Sequence, residues 1–369
     1  MDNSRLFLIA AMIFVGMLLW QQWQADYVYQ QPINISEQQT GADTGLSADL
    51  PDIGDLPDIA DSPSGMQSTT NGQQVVQAAQ GGRIILVDTD VLQARIDSRG
   101  GVLRSLKLKK YPTSLESPDD WLELVHSQAD SSHILQSGLR NKEDIAPTHH
   151  SEYQASRSEY RLQDGEQDLL VPLTWQQDGI TVTKTYHFKR GNYLVEVNHR
   201  VENNSQQDWQ GSEYRQIQRT RPLDESRLLY TYTGSVYYNE ETKYEKVDFD
   251  DMEDSQLKVE AKGGWIAMIQ HYFLSAWVPK QDETNLVYSI ANTKRNPATY
   301  TIGMRSQNQT VAPGGSGEFS SQLFVGPKIV KRLEEISPGL DLTVDYGVLT
   351  FLSKPLYWLL GLYHSFVGN

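Results

Sequence analysis

Acid–base chemistry by side chains alone needs an imidazole held beside a carboxylate, and eight histidines are spread over these 369 residues. Their spacing builds no such pair locally. His187 and His199 alternate along strand-like runs and are read as outward-facing, whereas His126, His133, His149 and His150 fall in loop-like sequence. No carboxylate stands near any of them at a spacing that fixes a dyad. The chain has no cysteine, which removes thiolate nucleophiles, thiolate metal sites and disulfides together. Residues 49–61, DLPDIGDLPDIAD, form a short acidic repeat without the ligand spacing of a cation loop. The expectation is a protein with no catalytic residue, no cofactor and no metal site.

The elements around these residues point to a membrane instead. Residues 6–25, LFLIAAMIFVGMLLWQQWQA, are uncharged and mostly apolar. As a helix they reach about 30 Å, the thickness of a bilayer's hydrocarbon core. A cleaved signal peptide is the rival reading, but a cut after Ala25 would put Trp23 where the peptidase wants a small residue. Trp20 and Trp23 suit the headgroup level of a retained anchor. Arg5 precedes the span, no Lys or Arg follows until Arg83, and eight acids lie between Asp26 and Gly82, so the N-terminus is expected in the cytoplasm and the remainder outside it.

Residues 26–82 are poor in apolar types and rich in Gln, Ser, Thr, Asp, Gly and Pro, a composition that cannot offset the entropy of ordering it. A disordered tether is expected there. The body beyond it carries 31 Lys or Arg against 38 Asp or Glu. That balance offers no basic field to nucleic acid, which is not expected as a partner.

Period-two alternation dominates the body. In GNYLVEVNHRV, Tyr193, Val195, Val197, His199 and Val201 share one face, and TVTKTYHF, YTYTGSVYY and LVYSIAN read as further strands. Turns are signalled by SRGG at 98–101, QDG at 177–179, KRGN at 189–192 and APGG at 312–315. Nearly all-strand sequence without βαβ alternation predicts a large antiparallel sandwich over 83–346. Two segments read helically: PKIVKRLEEI at 327–336, with Pro327 in the first turn and Ile329, Leu333 and Ile336 on one side, and KGGWIAMIQHYFLSAWVP at 262–279, either a strand pair or a short buried helix. Trp265, Met268, Tyr272 and Trp277 of the latter are read as core.

From 347 the chain turns apolar again. Leu352, Leu356, Trp358, Leu359, Leu360, Tyr363 and Phe366 are the candidate lipid-facing residues of an amphipathic helix lying on the membrane surface. Lys354, Pro355, Gly361 and His364 punctuate it too often for a span. A helix docked on the sandwich is the plain alternative.

Several long strings carry a resemblance: MIFVGMLLWQQWQ near the start, KYEKVDF at 243–249, KGGWIAMIQHYFLSAWVP at 262–279, LFVGPK at 323–328 and LDLTVDYGVLTFLSKPLYWLLGLYHSFVGN at 340–369. In these the chain resembles the YidC membrane protein insertases of Gram-negative inner membranes, over their N-terminal two-thirds. The resemblance implies a mutarotase-like β-supersandwich in the periplasm after one transmembrane helix. It also implies nascent inner-membrane proteins, the Sec translocon with its accessory subunits, and the phospholipid bilayer as partners. A Sec-partner contact region is implied around Tyr237–Gly264, with Tyr237, Lys243, Tyr244, Glu245, Asp248 and Phe249 as candidates. Without the resemblance its acidic run reads as a solvated loop. The family's groove, with its Arg, belongs to a multi-span core that is expected to begin beyond Asn369, so insertion itself is assigned to no residue here. The chain is then expected to be a fragment or a truncated product. Two other readings stay open: a periplasmic carbohydrate-binding or mutarotase-like domain, and a membrane-anchored envelope scaffold.

Overall fold

In the computed structural model, which describes residues 82–222 and 232–344, strands dominate and assemble into two sheets, one of eleven strands and one of nine. The larger sheet is centred on strand Trp209–Thr220, which pairs antiparallel with Ser132–Asn141 on one side and Thr299–Ser306 on the other. The smaller runs through Ile180–Lys189, Leu194–Asn203 and Ser316–Pro327, all antiparallel neighbours. Pairing departs from antiparallel where Ile84–Asp88 meets the short strand Glu159–Arg161. The mainly β, two-layer antiparallel architecture expected from alternation is therefore the one observed.

Alternation explains how each layer finds its face. Along Leu194–Asn203, Val195, Val197, His199, Val201 and Asn203 are buried while the intervening side chains are not, so the predicted register of GNYLVEVNHRV holds. The turn signals hold for a conformational reason. QDG places Asp178 and Gly179 at φ 49° and 81°, and the turn joins strands Asp168–Gln177 and Ile180–Lys189 through the left-handed pair a two-residue hairpin demands.

KGGWIAMIQHYFLSAWVP resolves to a strand pair, Trp265–Ile269 and Phe273–Pro279, joined at Gln270–Tyr272. Trp265, Met268 and Trp277 are core residues, as expected. Tyr272 is not. It sits in the turn and is 69% exposed, because a hairpin end leaves the layer whose faces bury its strands. The helix expected at 327–336 is shorter, Val330–Ile336: Pro327 instead ends strand Ser316–Pro327, pairing with Phe273 across the ladder. Leu333 is buried, but Ile329 lies before the helix and is 36% exposed. A short helix at Phe249–Asp254 also escaped the sequence reading, since its FDDMED run is too brief for a period to register.

The layers do not meet through hydrocarbon alone. Trp277 Nε1 donates to the Gln216 carbonyl at 3.2 Å, and the Tyr186 hydroxyl donates to the Gly101 carbonyl at 2.6 Å. Lys184, wholly buried, donates to the carbonyls of Ser137 and Gly100 at 3.0 and 3.2 Å. No helix among the described residues is long and apolar enough to cross a membrane. The expected anchor at 6–25, the tether at 26–82 up to its last residue, and the surface-helix candidates Leu352, Leu356, Trp358, Leu359, Leu360, Tyr363 and Phe366 lie outside the described residues.

Candidate functional site

The region singled out around Tyr237–Gly264 is an ordered hairpin and helix, not a solvated loop. Strands Gly234–Asn239 and Lys243–Val247 pair antiparallel at one edge of the nine-stranded sheet. Asn239 builds the turn: its side-chain oxygen accepts from the amides of Glu241 and Thr242 at 2.9 and 2.7 Å. Lys243 follows at φ 65°, a left-handed conformation held by that turn. Behind the hairpin, the Tyr238 and Trp265 rings stack at 5.8 Å and Tyr244 tilts onto the same indole at 6.1 Å. Gly264 makes this packing possible. At φ 79° its missing Cβ would lie 1.9 Å from the Tyr238 carbonyl oxygen.

Asp248 then starts the helix through a reciprocal capping box with Asp251. Phe249, 5% exposed, packs against the Tyr300 ring at 4.7 Å, and the Arg221 guanidinium lies 5.6 Å from both rings. Arg221 also pairs with Asp250 at 2.5 Å, and the Tyr300 hydroxyl bonds Glu253. These contacts tie the acidic helix to the larger sheet. Tyr237, 2% exposed, and Phe249 are thus internal supports, while Lys243 and Asp248 are exposed and Tyr244 and Glu245 are half-buried. Partial burial raises the Glu245 carboxyl above its ordinary value. What the site presents outward is a rigid hairpin with carboxylates at Glu240, Glu241, Asp248 and Asp250.

The histidines fall elsewhere, and two pairings missed by local sequence appear. His199 is buried, not outward-facing: its Nδ1 lies 2.8 Å from Glu213 Oε1, on the strand opposite in the other sheet. Glu213 in turn accepts from Arg215 at 2.7 Å, and Arg215 reaches Glu283 at 2.7 Å and Asn285 at 3.0 Å. Burial alone would raise the Glu213 carboxyl, but Arg215 and His199 outweigh it and hold it low, while burial depresses His199. His187 lies on the surface between Asp168 at 2.6 Å and Glu196 at 3.0 Å. A sequence separation of 14 residues, across two sheets, left the His199–Glu213 dyad without a local signal. Fully enclosed, that dyad meets no substrate and serves as a joint between layers. Among the described residues, no group of three or more His, Asp or Glu side chains is set to hold a metal ion.

Among the described residues the body is a two-layered, mainly antiparallel β fold with an ordered edge hairpin. The family model described as "YidC periplasmic domain" matches residues 84–359. The chain belongs to that family. It is 43% identical over 384 residues to the "Membrane protein insertase YidC" of Thioalkalivibrio sulfidiphilus, covering 100% of this chain and 66% of the relative. Against the protein of the same description from Methylococcus capsulatus it is 42% identical over 373 residues, again covering 100% and 66%. With that of Haemophilus influenzae it shares 36% identity, covering 100% and 64%. The chain therefore spans about two thirds of the length of these curated relatives. Solved structures superpose more distantly. A galactose mutarotase related enzyme from Lactobacillus acidophilus gives a TM-score of 0.43 at 8% identity, over 66% of this chain and 97% of that one. A putative aldose 1-epimerase from Escherichia coli K12 gives 0.39 at 9%, over 66% and 98%.

Proposed function

We propose that the chain is the anchored, periplasmic part of a membrane protein insertase and chaperone of the bacterial inner membrane, which inserts nascent inner-membrane proteins and helps them fold, alone or with the Sec translocon. The observation that carries this reading is identity of 36–43% to insertases along 100% of the chain. In this reading residues 6–25 anchor the chain with its N-terminus in the cytoplasm, 26–82 tether the body, and Leu352, Leu356, Trp358, Leu359, Leu360, Tyr363 and Phe366 seat a helix at the phospholipid surface. Insertion needs no covalent chemistry, since moving apolar area into lipid is favourable by about 25 cal/mol per Å². The exported body supplies docking and positioning.

The Lys243–Asp254 hairpin and helix are the proposed contact for a Sec accessory subunit. Lys243, Tyr244, Glu245 and Asp248 make it, and Tyr237 and Phe249 hold it in shape. Supporting this are the exposure of that edge and its fixed geometry. A photo-crosslinking residue placed at Lys243 or Asp248 in the full chain, expressed in a Gram-negative host, should yield adducts with a Sec subunit. Adducts equal to those from a label at Gln206, at the far end of strand Leu194–Asn203, would reject the contact.

A further inference from the structure

We propose that the folded body has its own bilayer contact: the end formed by the Gln270–Tyr272 turn and the entrance to helix Val330–Ile336 docks on phospholipid headgroups. The proposal rests on the membrane attachment read above and adds to it a surface on the folded body, distinct from both expected membrane segments.

At this end two exposed side chains are of the wrong kind for water. Tyr272 is 69% exposed and Ile329 is 36% exposed. They are neighbours, because the Lys328 amide donates to the Tyr272 carbonyl at 2.9 Å. Beneath them is a fixed aromatic base. The Tyr111 ring meets Phe273 edge-on at 5.3 Å and Tyr193 at 6.3 Å, and the Arg332 guanidinium lies 5.8 Å from the Tyr193 ring. The turn therefore presents Tyr272 from a rigid platform.

The surrounding charge selects the occupant. His271, Lys331 and Arg332 are exposed around Tyr272 and Ile329, with Glu334 and Glu335 following one turn along the helix. An aromatic and an aliphatic side chain thus stand here beside Lys331 and Arg332 at the helix entrance, with the two carboxylates that balance them set one turn further from the tip. Tyrosine with Lys and Arg is the composition that settles at headgroup depth, where the ring is half-immersed and the cations meet phosphates. Two exposed apolar side chains fall well short of the roughly 800 Å² per partner that a stable protein interface buries. They suffice for a contact made weak by itself and effective by tethering. The connection is short: Leu352, the first of the surface-helix candidates, follows Val344 by eight residues, about 29 Å of extended chain at most.

The chain has no cysteine, so single nitroxide labels need no background removed. Tyr272→Cys, Ile329→Cys, Gln206→Cys and Leu356→Cys variants of the full chain are each labelled and reconstituted in vesicles of phosphatidylethanolamine and phosphatidylglycerol. Collision with a nickel chelate tethered to lipid headgroups is then compared with collision with a dissolved chelate. The expected result is a higher ratio of tethered to dissolved collision at 272 and 329 than at 206, reduced at 272 when Arg332→Glu is added. Equal ratios at 272, 329 and 206 with Leu356 in lipid overturn this contact and leave the surface helix standing. Equal ratios at all four overturn both. Protection at 272 from both chelates signals a protein cover and overturns the lipid assignment.

Discussion

His199 Nδ1 and Glu213 Oε1 stand 2.8 Å apart, one from each sheet, and neither side chain is reached by solvent. The pair opens a chain of charges that continues through Arg215 to Glu283 and Asn285. Lys184 lies in the same interlayer space and feels the Glu213 charge, yet it hydrogen-bonds carbonyls rather than a carboxylate. The interior of this domain holds buried polar groups among its hydrocarbon, and its response to pH follows from them.

Burial lowers Lys184 to about 7. Between that value and the ordinary lysine range the unfolded chain holds a proton that the folded chain does not, so folding stability rises with pH across the window, by at most about 1.4 kcal/mol per pH unit. The histidines extend the trend. Burial depresses His133, His149 and His199, so below about 6.5 the unfolded state again binds more protons and stability falls as pH falls. Urea denaturation from pH 5 to 9 should show stability climbing throughout. Lys184→Met should flatten the arm above pH 7, and an unchanged slope in that variant would assign the effect elsewhere.

Arg215 balances Glu213 and Glu283 from a buried position. Arg215→Met should cost about 3–5 kcal/mol, because it leaves buried carboxylate uncompensated. Adding Glu213→Leu should recover part of that loss if electrostatics, not packing volume, sets it. Chemical denaturation of both variants reads the difference directly.

His133 presents the reverse case. Its ring is fully buried, and neither nitrogen meets a well-aligned hydrogen-bond partner, although the Leu124 backbone acts on it. His133→Leu should stabilise the domain by about 1 kcal/mol and soften its loss of stability in acid, since a poorly paired polar group is replaced by hydrocarbon. A destabilised variant would show that ring shape is what the site requires.

The edge hairpin depends on supports behind it. Phe249→Ala removes the ring that packs on Tyr300 and should cost about 3 kcal/mol. Gly264→Ala drives a methyl into the Tyr238 carbonyl and should cost at least about 2 kcal/mol. Both should lower crosslinking from Asp248 without removing any exposed group, and thermal melts of the full chain measure the stability loss.

At the other end of the sequence, replacing Leu356, Leu359 and Leu360 with Ser removes the apolar face of the expected surface helix. Spin labels at Trp358 should then lose their lipid exposure in the same vesicles. Unchanged exposure would favour a helix docked on the body.

Which features could be read from residues alone followed the range of the interactions involved. Alternation in GNYLVEVNHRV and the Gly-bearing turns are settled by neighbours two to four residues away, so the sandwich was legible. The second segment, KGGWIAMIQHYFLSAWVP, was ambiguous because a strand buried on both faces carries no period. His199 was misplaced for a related reason: facing Glu213 is a property of two layers meeting, and alternation specifies a face without saying what covers it. In the region that the resemblance singled out, Lys243 and Asp248 are exposed. Tyr237 and Phe249 were drawn into the same group, although their aromatic bulk is spent inside on holding the hairpin and the helix.

A hydrogen bond that crosses from one sheet to the other has direction, unlike greasy contacts that tolerate sliding. His199 of the smaller sheet meets Glu213 of the larger, and Glu213 is held in turn by Arg215 of its own layer, which also reaches Glu283, so the crossing contact has a braced acceptor. Sliding one layer past the other would strand a buried carboxylate, so the contact fixes which residues of the two sheets face each other.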